Sequence, residues 1–151
     1  MQLTKGSEYA LRGLAILASH PLGEAVSLAD IAATQSIPAA FLAKVFQRLV
    51  RHGILIAAPG RGNGHALARP PAEISVRQVL EGVEGPRLFQ HCFFWRGHRA
   101  DSGPCPLHDH LQGCLSQLTL GLERISLADY AATSAPDGHR TATATAAGAI
   151  P

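Results

Sequence analysis

The sequence predicts a mainly α-helical fold with a small β wing, and three observations predict it. Apolar residues recur at helical spacing in the stretches 8–20, 38–53 and 107–124, the signature of amphipathic helices. Between residues 54 and 69, two short runs, ILIAA and HALAR, flank the tip PGRGNG, which reads as a hairpin. The leucine stripe after residue 107 is longer than a small domain needs for its own core, which calls for a partner helix. A length of 151 residues sets one domain with an appendage, and 46% hydrophobic against 16% charged residues is enough to bury a core. No apolar run approaches the ~20 residues of a membrane span and no signal region opens the chain, so a cytoplasmic protein with no membrane partner is expected.

Taken in order, EYALRGLAILASH places Tyr9, Leu11, Leu14, Ile16, Leu17 and Ala18 on a broad apolar face, and His20-Pro21 with Gly23 ends that helix. Ser27 is expected to cap a second helix, LADIAATQ, with Asp30 completing a short-acid capping box. A third helix starts at Pro38, where the missing N–H costs nothing, and stops at Gly53. It should bury Phe41, Leu42, Val45, Phe46, Leu49 and Val50. After the hairpin, Pro70-Pro71 breaks the chain and Ser75 caps a fourth helix, VRQVLEGV. These elements define a winged helix-turn-helix domain over 1–83 and a Cys/His-rich loop over 84–106. A long dimerisation helix with its C-terminal end follows over 107–132, and the Ala/Thr-rich tail 133–151 is expected to be disordered.

Formal net charge is only +2, but its placement is informative. Lys44, Arg48, Arg51, His52, Arg61 and Arg69 occur with no acid between Lys44 and Arg69. A basic outer face on the second helix of a helix-turn-helix pair has the dimensions to enter a major groove. Lys44, Gln47, Arg48 and Arg51 are therefore the candidate contacts to double-stranded DNA, and Arg61 at the wing tip is placed for a phosphate or the minor groove. No nucleophile–base pair or metalloprotease motif accompanies these residues, so an enzyme is not expected.

The segment 91–111, HCFFWRGHRADSGPCPLHDHL, holds two cysteines and four histidines without a hydrophobic period. Cys92 and Cys105 are too far apart for a zinc knuckle but suit a loop wrapped around an iron–sulfur cluster. Three cysteines in total, an odd number, argue against a disulfide framework. Cys114 falls on the apolar stripe and is expected to be a buried structural thiol. A zinc site from Cys92, Cys105, His98 and His108, or a cluster-free regulator that senses thiol oxidation, is the alternative.

The set MQLTKGSEYALRGLAILAS, VSLADIA, FLAKVFQRLVRHGIL, the Gly-rich wing ending in LARP, EISVRQVLEGVEGP and LERISLADY resembles the winged-helix regulators grouped around IscR, NsrR and RirA, over roughly residues 1–130. The resemblance implies a homodimer built through the long helix, binding a pseudo-palindromic operator. It also implies that Cys92 and Cys105 match the first and last cluster cysteines, with His98-Arg99 where many relatives have a middle cysteine. His108 matches a histidine ligand of the IscR branch, and Glu8 matches a carboxylate that NsrR-like members supply from the opposite subunit. With only two matching thiolates, a 2Fe–2S cluster is favoured over 4Fe–4S. The wing departs from the pattern, with Pro59 where an arginine is usual and His65 where an aromatic is usual.

Overall fold

The computed structural model describes residues 3–58, 64–89 and 107–134. Helix α1 (Lys5–Ala18) opens on Thr4, whose side chain accepts from the Gly6 N–H. It buries Gly6, Ser7, Ala10, Gly13, Leu14 and Leu17, one stripe at helical spacing. Gly13 is there because a Cβ would stand 2.9 Å from Phe46 Cζ. Strand β1 (Val26–Ser27) runs directly into α2 (Leu28–Gln35). Ser27 is the N-cap residue of α2, but its side chain makes no capping hydrogen bond; its backbone is already committed to the sheet. Ser36 then takes a left-handed conformation, φ 54°, and Ile37 N–H returns to Ala32 O at 2.9 Å, closing the tight turn of the helix pair.

Helix α3 (Ala39–Arg51) buries Leu42, Val45, Phe46 and Leu49. Pro38 is its N-cap rather than its first residue, and Phe41, expected inside, is 43% exposed at the edge of the apolar face. Gly53, φ 68°, ends the helix, and Ile54 N–H bonds Leu49 O at 3.0 Å. The expected hairpin is formed by β2 (Leu55–Ala57) and β3 (Gly64–Leu67), with Leu55 opposite Leu67. β1 adds to β3 antiparallel, giving the order β1-β3-β2, a third strand the sequence reading did not contain. The wing tip, Arg61 included, lies outside the described residues.

After a 3-10 turn (Pro71–Glu73), α4 (Val76–Glu84) starts with a full capping box between Ser75 and Gln78. Helix α5 (His108–Arg124) packs along α4, with Leu122 against Val76, Leu80 and Leu88. A short helix, α6 (Leu127–Thr133), follows with its own capping box, Ser126 and Asp129, and drives Leu127 into the core. The main core joins α1, α2, α3, the sheet and α6 around Leu14, Ile31, Phe46, Leu49 and Leu127.

The long apolar stripe divides into two faces. Leu122 is half-buried against α4 and Leu115, two turns before it, is buried, whereas Leu107, Leu118 and Ile125 are exposed at 49%, 39% and 44%. Cys114, expected to be buried, lies on the exposed side of this chain. Among the described residues no helix is long and apolar enough to cross a membrane.

Candidate nucleic-acid interface and cluster site

Burial of Leu42, Val45, Phe46 and Leu49 turns the opposite side of α3 outward. Ala40, Lys44, Gln47 and Arg51 follow one another at helical spacing on that side, and all four are exposed. Gln47 and Arg51 face the wing across a cleft of about 580 Å³ lined also by Ala57, Ala58 and His65. Arg51 lies along its own helix, its Nε 3.4 Å from Gln47 O. His65 is buried and stands edge-on to Phe46, ring centroids 5.2 Å apart, so its ring fills the base of the wing.

Arg48 is set apart from this group. Its Nη1 donates to Val83 O at 2.7 Å, at the C-terminal end of α4, where helix carbonyls lack partners. Next to it, Glu84 Oε1 accepts from Thr4 N (2.8 Å), Thr4 Oγ1 (2.7 Å) and Ser7 Oγ (2.5 Å), all at the start of α1. Burial works against the charged form of Glu84. Those hydrogen bonds and the Arg48 charge outweigh it and hold the carboxyl below its ordinary value.

Glu8 is exposed on the outer side of α1 and pairs with Arg12 at 3.1 Å. Arg12 Nε also donates to Gln35 Oε1 at 3.0 Å, and its Nη2 donates to Gln35 O at the last residue of α2. Glu8 is thereby joined to the helix-turn-helix turn. The i,i+4 spacing of Glu8 and Arg12 was open to sequence reading; the reach to Gln35 was not, nor were Glu84 and the Val83 carbonyl.

Cys92, Cys105 and His98 lie outside the described residues, and His108 is described by its backbone alone, as the first residue of α5. Among the described residues, no three His, Cys, Asp or Glu side chains converge into a metal site.

A helix pair joined by a tight left-handed turn at Ser36, a basic outward helix and a three-stranded wing define a winged-helix transcriptional regulator. Residues 3–133 match the sequence profile of Rrf2, described as an iron-dependent transcriptional regulator, and the chain belongs to that family. Its members are transcriptional regulators that bind DNA, not enzymes. The chain is 35% identical over 130 residues to the HTH-type transcriptional regulator NsrR of Geobacillus kaustophilus, covering 85% of this chain and 88% of that one. Two solved structures share the fold. CymR, the global cysteine regulator of B. subtilis, superposes with a TM-score of 0.74 at 18% identity, over 89% of this chain and 98% of CymR. IscR of T. potens superposes with a TM-score of 0.66 at 24% identity, over 85% of each.

Proposed function

We propose that this regulator is a homodimer whose grip on operator DNA is set by an iron–sulfur cluster of the 2Fe–2S type. Cys92, Cys105 and His108 of one chain and Glu8 of the partner subunit would supply the four donors such a cluster needs. Thiolates are the preferred ligands, with imidazole and carboxylate taking the remaining positions. Arg12 cannot ligate, because its guanidinium stays protonated and offers no lone pair. A bound cluster would supply a one-electron couple tuned by its ligands.

The observation that carries the reading is the chain of contacts from Glu8 through Arg12 to Gln35. A Glu8 carboxylate engaged by a cluster held on the partner would release Arg12 from one of its two attachments. The other attachment is the turn that sets α2 against α3, so ligation is coupled to the pose of the reading helix. On the DNA side, Lys44, Gln47 and Arg51, with Arg61 from the wing, meet phosphates and base edges.

Dimerisation runs through α5. Leu107, Leu111, Cys114, Leu118, Gly121 and Ile125 alternate at four- and three-residue steps, the spacing of a helix–helix seam, and the more buried Leu115 and Leu122 are not part of it.

Anaerobic purification tests the reading. The parent protein should be coloured and hold iron and sulfide in equal amounts. Cys92→Ala and Cys105→Ala should be colourless and folded, while Cys114→Ala keeps the colour. A colourless parent holding zinc, or a cluster that survives both substitutions, refutes it.

A further inference from the structure

We propose that Arg48 and Glu84 are positioning residues that lock the recognition helix against α4, and that Arg48 is not among the side chains that touch DNA. The inference rests on α3 being the recognition helix. Three elements meet at this joint, beside an open cleft of about 360 Å³ that Arg48, Arg51, Gly82, Val83 and Glu84 line. A Cβ at Gly82 of α4 would stand 3.3 Å from Leu49 Cδ2 of α3 and 3.4 Å from Ile54 Cδ1, so α4 packs tightly on α3 and the residues after it there. A Cβ at Gly6 of α1 would stand 3.3 Å from Val83 Cγ1 and 3.7 Å from Val45 Cγ2. At the rim of this contact Arg48 Nη1 caps the Val83 carbonyl, and the neighbouring Glu84 carboxylate collects three donors from Thr4 and Ser7. Arg48 thus ties α3 to the end of α4, and Glu84 ties that same end to α1. Arg48 is itself exposed, but it lies to one side of the row of Ala40, Lys44, Gln47 and Arg51, where its guanidinium reaches Val83 O. Glu84 is also the last residue of α4, ahead of Gly85, φ 102°, so the segment leading to Cys92 leaves from the joint.

Salt dependence and sign separate positioning from contact. The probe is a duplex selected by the parent protein from a random-sequence pool, titrated at several salt concentrations well below each variant's melting midpoint. Under those conditions a loss of stability alone leaves affinity unchanged. A residue that neutralises a phosphate lowers the slope of log affinity against log salt by about 0.9 when removed. Lys44→Ala or Arg51→Ala should do that. Arg48→Ala should instead weaken binding by roughly 3- to 30-fold at every salt concentration, with the parent's slope. Glu84→Gln is the second, isosteric variant. Removing a negative charge near DNA strengthens binding by simple electrostatics, whereas a loosened joint weakens it, and weakening is expected. The combined variant should lose less than the product of the two single losses, because both break one joint. A slope reduced by about 0.9 in Arg48→Ala overturns the proposal, as does Glu84→Gln binding as tightly as the parent or more tightly. If Lys44→Ala and Arg51→Ala both bind with the parent's affinity and slope, α3 is not the recognition helix and the joint falls with it.

Discussion

Gly13 and Gly113 are both helical glycines, and their surroundings predict opposite responses to a single methyl group. At Gly13 a Cβ meets the Phe46 ring at 2.9 and 3.1 Å, and Phe46 is fully buried. The helix propensity gained, about 1 kcal/mol, is outweighed by overpacking of about 1–3 kcal/mol, so Gly13→Ala should destabilise the fold. At Gly113 nothing lies within 4 Å, and Gly113→Ala should stabilise by up to about 1 kcal/mol. Denaturant titrations of the two variants check the pair of signs. Glu84 gives a pH signature. Its folded carboxyl lies below the ordinary value, because hydrogen bonds and Arg48 overcome burial. Its contribution is therefore complete above the unfolded value and lost as pH falls through the folded one. The difference in Tm between parent and Glu84→Gln should be widest at neutral pH and close on acidification. An unchanging difference would mean that the charge plays no part. Such residue-scale features were only partly legible in the sequence. Glu8 and Arg12 sit at a recognisable i,i+4 spacing. By contrast, Arg48 finds Val83, and Glu84 finds Thr4 and Ser7, across sequence distances that no local pattern encodes.

At the scale of elements, α4 and α6 start side by side. Val76 N–H donates to Ile125 O at 2.9 Å and Leu127 N–H to Ile74 O at 2.7 Å, joining the two capping boxes back to back. This clip returns the end of α5 to the core, where Leu127 is fully buried. Leu127→Ala should therefore cost about 2–5 kcal/mol, although it lies beyond the long helix. Ser75→Ala should cost about 1 kcal/mol through loss of its cap. Thermal melts that rank the two variants the other way would contradict this account of α6. The main helices were legible because their apolar spacing is strongly periodic. β1 was not, because two residues carry no period and Ser27 reads equally well as a cap. Phe41 was misplaced because an apolar residue at the margin of a stripe has the same sequence signature as one at its centre. The segment 91–106 was read from its cysteines and histidines alone, and it lies outside the described residues, so its ligand set stands on chemistry and resemblance.

For the whole molecule, the two faces of α5 divide the work. Leu122 holds the helix to its own domain, and in the proposed homodimer the outward row from Leu107 to Ile125 meets a second copy. Leu118→Glu should give a monomer in light scattering with its helical content intact, because Leu118 lies on the outer row. A dimer that survives this change would place the interface elsewhere. Monomerisation should also remove any cluster, since Glu8 of the partner subunit would no longer be present. The most direct test of the central claim compares one anaerobic preparation in two states, titrating the selected duplex with the protein before and after chelation of its iron. The account predicts affinities that differ by about 5- to 150-fold, the usual span of allosteric coupling. Equal affinities in the two states, measured on protein that held iron and sulfide beforehand, would contradict it.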